Sequence, residues 1–155
     1  MRRAYFSLGS NMGDRAAYLR LGVDSVAAGR AVRLSQVYRS EPVGGVVQDD
    51  FWNLVMELAT DEEPRALLEL AHAAEAAAHR ERRVRWGPRT LDVDIVWIDE
   101  VVCAEADLVV PHPRMYERNF VLVPLRELRE DLVTPAHLAA AVGAVAPMGT
   151  LETLL

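Results

Sequence analysis

The order of hydrophobic segments predicts an α/β (α+β) chain of the split β-α-β kind: a mainly antiparallel sheet with helices on one face and further strands and helices appended. Three observations carry this. Short apolar strands read at 4–8, 31–38, 51–59 and 91–98. Helical periodicity replaces them at 14–28 and 60–79, which makes the order β-α-β-β-α-β. With 155 residues, 51% of them hydrophobic, the chain is long enough for one sizeable core, and 1–155 is read as a single domain.

Taken in order, the run Ala4-Tyr5-Phe6-Ser7-Leu8 is a short buried strand. It enters Gly9-Ser10-Asn11-Met12-Gly13-Asp14, either a tight turn with a helix N-cap or a backbone cradle for an anion. The first helix buries Leu19, Val23 and Val26 and stops at Gly29. In the second strand Val32, Leu34 and Gln36 alternate with Arg33, Ser35 and Val37. The proline and paired glycines of 40–50 mark an irregular loop, whose Val43, Val46 and Val47 either close over a ligand or pack on the core. The third strand puts Trp52, Leu54, Met56 and Leu58 on a core face, and Phe51, Asn53, Val55 and Glu57 on a face that is solvated or lines a site. Thr60 and Glu63 resemble a capping box, with Pro64 in the first turn. That helix turns Leu67, Leu70, Ala71, Ala74 and Ala78 inward, with Glu75 near the stripe.

The fourth strand is LDVDIVWI. Period two puts Asp92 and Asp94 on one face and Leu91, Val93, Ile95 and Trp97 on the other. Asp99-Glu100 turns into a short hairpin strand at 101–103. Leu108-Val109-Val110 leads to Pro111-His112-Pro113, an extended stretch fixed by prolines. A third helix spans 120–128, interrupted by Pro124, and a last one spans 136–145; the tail beyond carries no clear pattern.

Composition bounds the chemistry. Net charge is −6, which argues against general nucleic-acid binding. All 17 basic residues are Arg, which excludes a Schiff-base or P-loop lysine. The lone Cys103, amid Val101, Val102 and Ala104, reads as an inert packed thiol in a reducing compartment. No stretch is apolar enough for a membrane span or a signal peptide, so a cytoplasmic location is expected; the expected state is a monomer.

One constellation stands out. Two carboxylates on one strand face repel unless a cation lies between them, and an all-oxygen pair suits Mg²⁺ better than zinc. Just upstream, Arg80, Arg82, Arg83, Arg85 and Arg89 fall within ten residues. Carboxylates for a metal beside a guanidinium cluster suit a polyphosphate ligand. Taken alone, the aspartate pair is as readily an ordinary exposed sheet face, and the Arg cluster is more often a solvated charge run; together across a Gly-Pro turn they are much more specific.

The motifs LGSNMGD at 8–14, YRSEPVG at 38–44, FWN at 51–53, RWGPRTLDVDI at 85–95 and VVPHPRMYERNFVLVPL at 109–125 resemble the 6-hydroxymethyl-7,8-dihydropterin pyrophosphokinases of folate biosynthesis, nearly end to end. The resemblance implies a ferredoxin-like fold, two Mg²⁺ ions, and transfer of the terminal pyrophosphoryl group of ATP to the pterin hydroxymethyl oxygen with release of AMP. It implies that Asp92 and Asp94 bind both ions and that Arg80 and Arg89 stabilise the transferring group. Glu75, Arg82, Trp86, His112 and Arg118 would contact ATP. Asn53 would bond the pterin ring between Phe51 and Phe120, with Ser40 and Val43 lining that slot. An aromatic slot and a buried amide suit a flat heterocycle with paired donors and acceptors. The chain departs from the family pattern at His72, where Gln is common, at Asp107, where some members have Arg, and at Pro113, where some have an aromatic residue. A one-residue gap leaves Arg83 as competitor for the loop roles of Arg80 and Arg82. Two other classes remain: a Mg²⁺-dependent nucleotide hydrolase and a non-catalytic ligand-sensing module.

Overall fold

The computed structural model describes residues 1–42, 47–78 and 90–155. In chain order these form β1 (Arg2–Ser10), α1 (Arg15–Ala27), β2 (Val32–Leu34), β3 (Val37–Ser40), β4 (Phe51–Thr60), α2 (Pro64–Ala77) and β5 (Asp92–Ile98). Then come β6 (Cys103–Glu105), β7 (Leu108–Val110), α3 (Asn119–Leu128), α4 (Pro135–Ala140), β8 (Val145–Gly149) and α5 (Leu151–Leu154). The main sheet runs β5-β1-β4-β3-β8, with β2 also paired to β4. All its pairings are antiparallel. The central order is that of the ferredoxin-like split β-α-β sandwich.

Period two along each strand builds two apolar layers. Ala4, Phe6 and Leu8 of β1, Leu54, Met56 and Leu58 of β4, and Val93 and Ile95 of β5 meet Leu19, Val23 and Val26 of α1 and Leu67, Ala71 and Ala74 of α2. On the opposite face Tyr5, Val55 and Val96 are covered by Val121, Leu122 and Leu125 of α3, with Leu132 and Val133 beyond it. Helices therefore cover both faces, where one was expected. The reason lies in the face of β4 read as solvated or site-lining. Its Val55 is apolar, and Glu57 is buried because the Tyr5 hydroxyl donates to it at 2.6 Å and Arg33 pairs with it at 3.2 Å. The site-lining half of that reading holds at Phe51 and Asn53.

Two strand irregularities reassign side chains. The expected strand over 31–38 is broken: Leu34 lies opposite Met56 and Tyr38 opposite Asn53, which places one more residue on this side than on β4. Ser35 occupies the break, its hydroxyl accepting from the Val55 N–H at 2.9 Å and donating to the Gln36 carbonyl at 2.8 Å. The extra residue puts Val37, not Gln36, in the core beside Val32 and Leu34. In β5 the register against β1 shifts between Phe6–Ile95 and Tyr5–Trp97. Trp97 consequently joins the α3 layer, and Ile98 takes the core place expected for it.

Several local expectations also change. Gly9–Asp14 is a strand end, a turn and a cap, with the Asp14 carboxylate accepting from the Ala17 N–H at 3.1 Å. Thr60 closes β4 and its hydroxyl accepts from the Glu62 N–H at 3.0 Å, so the N-cap of α2 is Glu63 without a capping box; Pro64 opens the helix as expected. The hairpin strand begins at Cys103 and pairs with β7 in a separate sheet. Pro124 lies inside an unbroken α3 and is buried there. The helix expected over 136–145 is α4 and ends at Ala140, while Val145 starts β8, an edge strand where Pro147 is tolerated because one row of N–H groups needs no ladder partner; α5 follows in the tail. Val47 is fully exposed; Val43 and Val46 lie outside the described residues. No helix among the described residues is long and apolar enough to cross a membrane.

Candidate active site

A cleft of about 670 Å³ opens at one end of the sheet, lined by residues of β1, β4, β5, α2, β7 and the start of α3. Its floor comes from alternation in three neighbouring strands. On β1, Leu8 points into the core while Ser7 and Gly9 face the cleft. Gly9 is paired to Asp92 of β5 on one side and to Asn53 of β4 on the other. Ser7 is paired to Asp94. The carboxylate pair and the amide therefore sit roughly 10 Å apart, two strand spacings, across the backbone of Gly9. A Cβ at Gly9 would lie 3.0 Å from Asn53 Oδ1 and 3.6 Å from the Phe51 ring, so any larger residue would make the Asn53 amide give way by a few tenths of an ångström. Gly9→Ala is expected to press on the Asn53 amide and weaken binding of a flat heterocycle beside it several-fold with little change in melting temperature; equal weakening of nucleotide binding would contradict this.

One end of the cleft gathers Ser40, Phe51, Asn53 and Phe120. Asn53 is buried, and its Nδ2 donates to Ser40 Oγ at 2.8 Å and to the Tyr38 carbonyl at 3.2 Å. Those bonds fix the amide orientation and turn Oδ1 toward Gly9. Phe120 stands at the start of α3, with the Arg118 guanidinium carbon 5.5 Å from its ring centre.

The other end gathers Glu75, Asp92, Asp94, His112 and Arg118. Asp92 is half-buried and Asp94 exposed. Glu75 is buried on α2, and its Oε2 accepts from the backbone N–H of Val93 at 3.0 Å. It thus holds the strand between the two aspartates. The His112 backbone N–H donates to the Val96 carbonyl at 2.9 Å, and its Nδ1 accepts from the Arg114 N–H at 3.1 Å. Burial pushes the His112 pKa below its ordinary value; Asp94 opposes this, while Arg118 and Arg114 reinforce it. A neutral ring with Nδ1 accepting carries its proton on Nε2 and acts as a donor.

No group of three His, Cys, Asp or Glu among the described residues forms a metal cage. Two carboxylates on one face of a cleft fit Mg²⁺ nonetheless, since that ion keeps waters and takes phosphate oxygens to complete its shell.

All nine expected site residues within the described structure, Ser40, Phe51, Asn53, Glu75, Asp92, Asp94, His112, Arg118 and Phe120, line this single cleft. Val43, Arg80, Arg82, Trp86 and Arg89 lie outside the described residues, as does the competing Arg83. The sequence reading missed Ser7, Gly9, Leu68 and Val109 as lining groups. Ser7 and Gly9 were accessible to it, because they alternate with Phe6 and Leu8. His72, Asp107 and Pro113, noted as departures, also line the cleft, with Asp107 paired at 2.6 Å to Arg65.

The sequence of residues 5–130 matches the family model described as 7,8-dihydro-6-hydroxymethylpterin-pyrophosphokinase. The chain is 46% identical over 132 residues to the 2-amino-4-hydroxy-6-hydroxymethyldihydropteridine pyrophosphokinase of Bacillus subtilis, covering 83% of this chain and 79% of that protein. It is 43% identical over 136 residues to the protein of the same name from Methylorubrum extorquens, covering 86% of each. It is also 43% identical over 131 residues to the bifunctional protein FolKE of Lactococcus lactis, where the match spans 83% of this chain but only 38% of that longer protein. With the split β-α-β sheet, the aspartate pair on β5 and the match over 5–130 in agreement, the chain belongs to the 7,8-dihydro-6-hydroxymethylpterin-pyrophosphokinase family.

Proposed function

We propose that this chain transfers the terminal pyrophosphoryl group of ATP to the hydroxymethyl oxygen of 6-hydroxymethyl-7,8-dihydropterin, with AMP as the second product, a step of folate biosynthesis. The observation that supports it is the pairing of Gly9 with Asp92 on one side and Asn53 on the other. It brings an aromatic slot with a fixed amide and a carboxylate pair into one cleft, side by side.

In this reading Phe51 and Phe120 stack on the two faces of the pterin and Asn53 meets its polar edge. The slot orients the hydroxymethyl group toward the aspartates. Arg118 and neutral His112 donate to phosphate oxygens, Arg118 with a full charge and His112 through Nε2–H. Two Mg²⁺ ions held by Asp92 and Asp94 would supply neutralisation of phosphate charge and polarise the attacking hydroxyl. The hydroxymethyl oxygen bonds to the β-phosphorus, the bond from β-phosphorus to the oxygen bridging to the α-phosphate breaks, AMP leaves with that oxygen, and the hydroxyl proton passes to solvent. Positioning and charge stabilisation carry most of the acceleration. The family pattern adds Arg80 and Arg89 on the transferring group, Arg82 and Trp86 on ATP, and Val43 on the slot.

The protein incubated with ATP, Mg²⁺ and the hydroxymethyl pterin is expected to yield AMP and pterin pyrophosphate in equal amounts. ADP as the main nucleotide product, or ATP consumption without pterin, would replace this reading with an ordinary kinase or a hydrolase.

A further inference from the structure

Helix α3 carries Phe120 at its cleft end and is tied to the sheet seven residues later by Glu127. Seven residues are two helical turns, about 10.5 Å, and return to the same helix face. One oxygen of the Glu127 carboxylate accepts a hydrogen bond from the Tyr38 hydroxyl. The other accepts from the Gln36 backbone N–H at 3.1 Å. Gln36 lies at the break between β2 and β3, so the irregularity there presents the donor that Glu127 takes.

Tyr38 also connects to the slot through its backbone. It lies directly opposite Asn53, and its carbonyl accepts from Asn53 Nδ2 at 3.2 Å. Two residues on, the hydroxyl of Ser40 accepts from the same Nδ2. A single residue of β3 is thus bonded at its carbonyl to the amide on the slot floor and at its hydroxyl to the helix that carries the aromatic wall.

We propose that Tyr38 and Glu127 form a positioning pair that sets the separation between Phe120 and the Asn53 floor, and with it the affinity for the flat heterocycle. Neither residue lines the cleft. The proposal rests on the reading of that slot as the pterin site. Tyr38 is 7% exposed, so its hydroxyl is poorly placed to exchange Glu127 for water, although Glu127 itself is exposed. Burial first, and the Glu127 carboxylate second, push the Tyr38 phenol above its usual range, which keeps it a donor.

The test is a double-mutant cycle, with Tyr38→Phe, Glu127→Ala and the double variant titrated separately with the hydroxymethyl pterin and with a non-hydrolysable ATP analogue plus Mg²⁺. Each single variant is expected to weaken pterin binding by about 5-fold, the scale of one hydrogen bond. The double variant should be no weaker than Glu127→Ala alone. Affinity for the nucleotide analogue should stay within about twofold and the melting temperature within a few degrees. Glu127→Gln, which keeps acceptor oxygen at one position, should recover part of the loss. Parallel weakening of both ligands, additive losses in the double variant, or unchanged pterin affinity would each overturn the positioning role. Failure of the wild-type protein to bind the pterin would instead overturn the functional reading, and this proposal with it.

Discussion

Asp92→Asn and Asp94→Asn are each expected to lower turnover a hundredfold or more while leaving the protein folded. The magnitude is that of removing a preorganised charged group from a developing phosphoryl transition state. The selectivity follows from position. Both side chains stand on the cleft face of β5, outside the apolar layer that Val93 and Ile95 join. Two like charges two residues apart on one strand face disfavour each other without a cation between them, so losing one charge does not remove an apolar contact of the core. The measurement is kcat across a Mg²⁺ titration beside the thermal melt. A defect that deepens as Mg²⁺ becomes limiting supports the metal role. Near-normal activity of either variant at limiting Mg²⁺ would exclude it.

Glu75→Ala is expected to lower turnover by roughly 10- to 100-fold and to destabilise the protein by about 1–3 kcal/mol. The second figure is the cost of leaving a buried polar group without its partner, here the Val93 N–H that Glu75 Oε2 accepts at 3.0 Å. The first reflects how steeply phosphoryl transfer depends on position, since Val93 lies between the two aspartates and a shift of about 1 Å can cost about a hundredfold in rate. The family resemblance assigns Glu75 to ATP, whereas the geometry assigns it at least to the strand. Glu75→Gln separates the two roles, because an amide oxygen still accepts from an N–H but carries no charge. Recovery of most of the activity and stability in Glu75→Gln would make the hydrogen bond its main contribution. A Gln variant as inactive as Ala, with normal stability and weakened nucleotide binding, would make the carboxylate a nucleotide contact.

Much of this was legible before folding because period two is local. The face shared by Asp92 and Asp94, the Phe51–Asn53 face and the Leu54–Met56–Leu58 core face all follow from alternation along one strand. Neither the distance from Asn53 to the aspartates nor the role of Gly9 between them follows in that way, because both depend on strand order. A single inserted residue escapes the pattern for the same reason. The break at Ser35 and the shift before Trp97 reverse the faces downstream of them, and only pairing with β4 and β1 reveals them. The tail reads as patternless because Pro147 and Gly149 suit a strand poorly; it becomes β8 only because β3 offers an edge.

By itself the sequence determined the central β-α-β-β-α-β order, the family, the carboxylate pair and the face shared by Phe51 and Asn53, since these reside in residue type and short-range spacing. The tertiary structure alone decided that α3 closes the second face of the sheet, that Glu75 grips the strand between the aspartates, and that Glu127 reaches Tyr38. Each of those is a contact between segments distant in the chain, selected by the burial of apolar surface on both faces of the sheet and by the need of buried donors and acceptors to find partners once that surface is closed.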